Sequence, residues 1–470
     1  MFSSSKVQVQ SIEFSVVPTK TRFPFRYGIA AMTEAPHLFV RSTVEVDGKP
    51  TTGIASEGLP PKWFTKNPDT TFEEDDHPRM IRVIEQAAKF AKEISEPLSF
   101  FEFWKHLTSQ QRAWAESEEI PPLLAQLGTA MVERTVLDAL CRALEMPLHR
   151  VVHENRLAID LGEIHSELAG TNLGDVFRNP PLDELRVRHT VGLADPLTDS
   201  DILAEDKIDD GLPHSLVSNI HRYGLTHFKL KLFGDLEADR DRLRELTALF
   251  EAEASRDYEI TIDGNEQYAD LDQFREHWEA HQADPMIAPL FRHLLFVEQP
   301  IHRDHALADS VKFGFEKWKN SPRVIIDESD AGTDSLPRAL ELGYVGTSHK
   351  NCKGIVKSIA NRALLDVRGG VMSAEDLANL GPVALLQDLA VVAMLGIDHV
   401  ERNGHHYFKG LASFPEDLQQ KVAAAHPDLY AKTDRMVTAL KIEQGLISAT
   451  SLNEAPFGIS LDPDLFQFQE

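Results

Sequence analysis

Apolar and polar residues alternate at Ile12, Phe14 and Val16, and again over residues 37–46, which run into Asp47-Gly48. A period of two predicts half-buried strands, and Asp-Gly is a hairpin turn signal. Between the two strands lies Arg22-Phe23-Pro24-Phe25-Arg26-Tyr27-Gly28, which reads as a connecting loop. The spacing then lengthens. Ile81, Ile84, Ala87, Ala88 and Ala91 make one helical stripe within residues 78–95, and residues 121–145 keep a similar period. From residue 187 the pattern changes again. Short apolar runs over 187–193, 227–232, 258–264, 294–299, 323–328, 344–350, 369–373 and 397–401 alternate with helical segments such as 236–251. Strand–helix repeats of roughly 30–35 residues predict a parallel β/α barrel. An open doubly wound sheet competes, but no glycine-rich phosphate loop follows its first strand.

Four regions follow. Residues 1–150 predict an α+β domain that caps the barrel mouth through its aromatic and arginine loop. Residues 151–186 fit no barrel unit and read as a linker or insertion. Residues 187–410 form the barrel, and 411–470 carry polar helices expected to pack back on the capping domain. With 470 residues and 42% hydrophobic content, the chain can bury a large core. Its net charge of −26 argues against nucleic acid and anionic membranes as partners. No apolar run is long enough to span a membrane, and Met1–Lys6 lacks an apolar signal core. Two cysteines, Cys141 and Cys352, suit a reducing cytoplasm better than a disulfide framework. The expected partners are a small carboxylate substrate and further copies of the chain.

The candidate chemistry sits at the strand ends. Ile262-Asp263-Gly264-Asn265, Val297-Glu298-Gln299-Pro300 and Ile326-Asp327-Glu328-Ser329 each close an apolar run, about one repeat apart. Carboxylates at successive parallel-strand ends converge at one mouth of a barrel. Three of them repel one another unless a cation sits among them, which predicts a hard divalent ion, magnesium with manganese as the alternate. Basic strings bracket the acids: His227-Phe228-Lys229-Leu230-Lys231 before them and Ser348-His349-Lys350-Asn351-Cys352-Lys353-Gly354 after them. Alternation puts Lys229 and Lys231 on one face of their strand. The same parity selects Asp327 over Glu328 for the interior, leaving Glu328 as a neighbour of the site.

The order lysine pair, Asp, Glu, Asp, lysine resembles the enolase superfamily. It is most similar to the branch of muconate-lactonizing enzymes, o-succinylbenzoate synthases and amino-acid or dipeptide epimerases. The stretch from Met131 to Leu148, an alanine-rich helix ending in Met146-Pro147-Leu148, also resembles the superfamily. The resemblance implies a (β/α)7β barrel with an N-terminal capping domain. It implies Asp263, Glu298 and Asp327 as metal ligands, with Lys231 and Lys350 as acid/base groups on opposite faces of the substrate.

The expected reaction is removal of the proton alpha to a carboxylate. A bound divalent ion would neutralise the substrate carboxylate, and Lys229 would hold one of its oxygens. Lys231 would take the proton, giving an enediolate, while Lys350 addresses the other face. Epimerisation or racemisation, cycloisomerisation and syn-elimination all share that first step. Lys353 and Asn265 are expected to support the ligands, and Arg26 and Tyr27 to reach the substrate from the cap, with Arg26 meeting a second anion. Two departures narrow the choice. The seventh strand ends Met372-Ser373-Ala374-Glu375-Asp376 without histidine, which lowers the acid-sugar dehydratase reading and leaves Glu375 as a substrate-side candidate. The eighth reads His399-Val400-Glu401-Arg402-Asn403-Gly404-His405-His406 in place of the epimerases' Asp-x-Asp, so a dipeptide substrate is disfavoured. The roles of His405 and His406 stay open between the mouth and a solvent loop. The alternative to an enzyme is a non-catalytic metal-binding barrel.

Overall fold

The computed structural model describes residues 4–468. Strand β1 (Lys6–Val17) opens the chain. A ribbon follows, made of β2 (Lys20–Tyr27) paired antiparallel with β3 (Ala30–Glu34). The stretch read as a loop is therefore a hairpin. Phe25 and Tyr27 point inward on β2 with Met32 on β3, and Arg26 between them points out. Strands β4 (His37–Val46) and β5 (Lys49–Gly58) complete an antiparallel sheet with β1, in the order β5-β4-β1. Asp47 and Gly48, both at positive φ, form the predicted turn between them. Helices α1 (His77–Glu93), α2 (Phe100–Ser117) and α3 (Pro122–Leu144) back the sheet. Residues 123–141 of α3 are buried on every side because the helix lies between the sheet and the barrel. Only short helical turns occupy 148–176.

The barrel strands are β6 (Glu184–Val191), β7 (His227–Lys231), β8 (Glu259–Asp263), β9 (Leu294–Glu298), β10 (Val324–Ile326), β11 (Gly346–His349), β12 (Val371–Ala374) and β13 (His399–Arg402). All eight expected strands form. They are parallel and pair in the order β12-β11-β10-β9-β8-β7-β6-β13, so the first and last strands meet. Helices α4 (Leu216–Tyr223), α5 (Leu236–Glu253), α6 (Leu271–Ala283), α7 (Asp309–Lys317), α8 (Ser335–Leu342), α9 (Ile355–Arg368) and α10 (Ala384–Leu395) fall between successive strands. Seven helical crossovers joining eight strands make this a (β/α)7β barrel. Outward residues such as Phe228, Leu230, Ile260, Ile262, Val297 and Ile326 are fully buried against the helices. That leaves the alternate, inward positions for polar groups.

Strands β12 and β13 share no ladder, so the ring is nearly closed. A side chain crosses that seam instead. Arg188 of β6 donates to Ser373 Oγ at 2.9 Å and to the Ala374 carbonyl at 3.3 Å, and pairs with Glu375 at 2.9 Å. Beyond the barrel, residues 446–448 add antiparallel to β6. Arg142 of α3 donates to the carbonyls of Ile459 and Leu461, at 3.1 and 3.0 Å. Among the described residues no helix is long and apolar enough to cross a membrane.

Candidate active site

The C-terminal ends of the barrel strands gather a buried set of charges. Lys229 and Lys231 come from β7, Asp263 ends β8, Glu298 ends β9, and Asp327 follows β10. Lys350 and Lys353 follow β11, Glu375 follows β12, and Glu401 lies on β13. With Arg188 of β6, five cations face five carboxylates, and none is more than 9% exposed. The local turns fix their aim. A Cβ at Gly264 would lie 2.5 Å from Pro300 Cα, so only glycine lets the chain leave β8 there. Asn265 and Glu266 then turn through positive φ, and the Asn265 N–H caps Asp263 Oδ1 at 2.8 Å.

Lys229 is the hub. Its Nζ lies 3.0 Å from Asp263, 2.7 Å from Glu298, 2.8 Å from Glu375 and 2.9 Å from Glu401. Burial opposes its charge, but these four carboxylates raise its pKa well above the usual lysine range. Lys350 behaves alike: burial opposes the charge, while Asp327 at 2.6 Å and Glu375 at 2.8 Å hold it protonated. Lys231 pairs with Asp263 alone, at 2.6 Å. Lys353 pairs with Asp327 at 2.6 Å and donates to Ser348 Oγ and its carbonyl. Against the cost of burial, Lys350 and Lys353 keep Asp327 well below the ordinary carboxylate range. Glu298 moves the other way, pushed well up by burial and by Asp263 and Glu375.

The set fits a divalent cation. Both oxygens of Glu298 are buried without a hydrogen bond, because Lys229 approaches Oε2 off the bonding direction. Glu298, Asp327 and Glu375 each present one oxygen within 4.8 Å of the others, the one such group among the described residues. This convergence includes Glu375 where the sequence pattern has Asp263. The hydrogen bonds favour Asp263. Glu375 already receives Lys229, Lys350, Arg188 and Ser373, which fill its four lone-pair sites. Asp263 Oδ1 accepts only the Asn265 N–H and keeps a lone pair free. An all-oxygen donor set suits a hard ion such as magnesium.

The cap roofs this floor. A pocket between them has about 40 Å3 of free space, room for a few waters. Phe25, Tyr27, Met32 and Trp63 line it from above, and Leu377 and Ala378 from the loop after β12. The Lys350 ammonium sits 5.2 Å from the centroid of the Trp63 ring. Arg303 locks this part of the roof: it donates to the Trp63 carbonyl at 2.8 Å and to Glu266 through two nitrogens at 2.7 Å. Lys66 adds a 2.7 Å pair to the same Glu266. On the other side His37 of β4 receives the Leu380 N–H at Nε2, at 3.0 Å.

Of the residues expected at the site, Lys229, Lys231, Asp263, Asn265, Asp327, Lys350 and Tyr27 line the pocket. Glu298, Lys353 and Glu375 lie directly behind them. The Tyr27 hydroxyl donates to the Pro61 carbonyl at 2.8 Å. Arg26 is not at the pocket. It is exposed and lines a separate outer groove with Arg22 and Asp201, because it alternates with the inward Phe25 and Tyr27. Glu328 is buried beside the site but faces Glu266 and Lys66; burial, with Asp327 and Glu266, pushes it up to about 8. His405 and His406 are buried under the β2–β3 ribbon, within hydrogen-bond distance of His189 and Asn219 respectively. They do not line the pocket. Sequence reasoning missed Arg188, Glu401, Trp63, Arg303 and Glu266.

The chain was compared with known proteins. The sequence model of the family described as "Enolase C-terminal domain-like" matches residues 214–463. No curated protein sequence matches the chain. Among solved structures, a muconate lactonizing enzyme from Pseudomonas fluorescens, complexed with muconolactone, superposes with a TM-score of 0.59 at 15% identity, covering 97% of each chain. The L-Ala-D/L-Glu epimerase of Bacillus subtilis gives 0.55 at 16%, covering 94% of this chain and 99% of that one. An enolase from Bradyrhizobium, complexed with magnesium and mandelic acid, gives 0.55 at 14%, covering 96% and 98%.

Proposed function

Because this chain belongs to the enolase superfamily, in its muconate-lactonizing-enzyme-like branch, we propose that its barrel mouth removes the proton alpha to a small substrate's carboxylate. The observation that carries this reading is the meeting of lysines and carboxylates from successive strand ends under one roof. Asp263, Glu298 and Asp327 would hold a magnesium ion, which supplies positive charge against the substrate carboxylate and the enediolate. The rest falls to the protein's own groups. Lys231 pairs with one carboxylate only and lines the pocket, so it takes the α-proton. Lys229, protonated among four acids, faces the negative charge that develops as the proton leaves. Lys350, also protonated, lies under Trp63 and returns a proton, giving epimerisation or racemisation, or stabilises charge during cycloisomerisation or elimination. Trp63, Phe25 and Met32 exclude water from the reacting carbon.

The test is α-carbon exchange in deuterated water, measured by mass spectrometry over a broad library of small carboxylic acids with magnesium present. Exchange with at least one acid, lost on chelation and in Lys231→Ala, is the expected result. A folded, magnesium-binding protein that exchanges none of the library would refute the reading and favour a binding protein on the same scaffold.

A further inference from the structure

We infer that the substrate is a monocarboxylic acid carrying no second charge, apolar at its far end and with a hydroxyl or amide N–H near the reacting carbon. This rests on the proton-abstraction reading of the same pocket. The argument begins with the fate of every charge that lines it.

The pocket's three cations are already paired. Lys229, Lys231 and Lys350 each have a carboxylate oxygen within 2.8 Å. No arginine and no histidine lines the pocket. A second carboxylate on the substrate would thus be buried with no partner, a cost of about two to three powers of ten in binding. A substrate ammonium fares no better. The wall acids nearest the roof are Asp376 and Glu401. Asp376 is held by Arg402, and Glu401 by Lys229 at 2.9 Å and the Thr190 hydroxyl at 2.6 Å. Neither offers an uncommitted negative charge.

The roof has no charge to give. Phe25, Met32, Trp63, Leu377 and Ala378 are apolar on the side that lines the pocket, and the Tyr27 hydroxyl is spent on Pro61. Two neutral acceptors do remain. The side-chain oxygens of Asn265 and Asn403 are buried without a hydrogen-bond partner, and both residues line the pocket. Either amide orientation leaves a neutral group there, and an oxygen in this position takes a hydroxyl or an amide N–H. Charge is therefore read at one end only, by the lysine and metal floor.

The experiment is the exchange assay with a library sorted by its far end. N-acetyl amino acids and 2-hydroxy acids are supplied in three matched sets, ending in an alkyl or aryl group, a carboxylate or an ammonium. Exchange about a hundredfold faster in the neutral set than in either charged set is expected. A carboxylate-ended or ammonium-ended acid as the fastest exchanger overturns this inference and leaves proton abstraction standing. No exchange in any set instead overturns the proton-abstraction reading, and this inference with it. Met32→Lys, checked for folding by circular dichroism, places a cation in the roof. It is expected to move the preference toward carboxylate-ended acids, and an unchanged order would count against the roof as the element that reads the far end.

Discussion

Acid should loosen the cap through His37. The ring is fully buried; Nδ1 lies 3.0 Å from the Ala35 carbonyl, and Nε2 receives the Leu380 N–H at 3.0 Å. These partners require the neutral ring with its proton on Nδ1, since a proton on Nε2 would face a donor. Burial lowers the pKa from 6.5 to about 4, partly offset by the Ala35 carbonyl. The unfolded chain therefore binds the proton first. The stabilisation is whole above 6.5 and is lost as pH falls through about 4. A gap of about 2.5 pH units, at about 1.4 kcal/mol each, is worth about 3 kcal/mol in full and about 2 kcal/mol by pH ~5. Other groups titrate in the same range, so the measurement is a difference. Urea unfolding of the protein and of His37→Gln, near neutrality and at about pH 5, isolates this ring. The variant should lose about 2 kcal/mol less on acidification. Equal losses would show that His37 carries its proton when folded, and that the clasp to Leu380 is not what acid breaks.

Arg188→Met should cost about 3–5 kcal/mol in thermal or urea unfolding, because Glu375 keeps its buried charge and the seam between β12 and β13 loses its side-chain bridge. A loss below 1 kcal/mol would show that the bridge is dispensable. Magnesium at about a hundred times its dissociation constant should stabilise the protein by about 2.7 kcal/mol, and Glu298→Gln should abolish that increment; calorimetric melting with and without chelator reads it. Asp263→Asn should weaken magnesium binding more than Glu375→Gln, and the reverse order would make Glu375 the third ligand. Arg303→Met releases the Trp63 carbonyl and one partner of Glu266; KM should rise about tenfold with a smaller change in kcat, whereas unchanged steady-state constants would detach this lock from catalysis.

The barrel was legible because its strands are short apolar runs separated by helices of even length, and because outward residues such as Ile260 and Ile262 must be apolar for the helices to cover them. The acids and lysines were legible from their place after those runs. Arg188 was not, since nothing local marks an inward arginine and its partner Glu375 lies 187 residues away. Glu401 sits on β13 at an inward position, visible by parity once the strand is drawn, but its meaning depends on Lys229 across the barrel. The hairpin at 20–34 was misread because Pro24 and two arginines suggested a loop, although Phe23, Phe25 and Tyr27 carry the period of a strand. That same period would have turned Arg26 outward. Trp63 follows Pro60-Pro61-Lys62 in a segment with no period at all, and only Arg303 and Glu266, far along the chain, hold it over the mouth.

The pairing of β6 with β13 has a consequence for synthesis. The first strand of the ring finds its neighbour only after the last has been made, some 200 residues later on the ribosome. A nascent chain halted before His399 would leave the Arg186–His189 edge of β6 unpaired, open to a stray strand from another molecule. Ring closure is thus the act of the completed barrel segment, and fragments that stop short of it are the ones expected to aggregate.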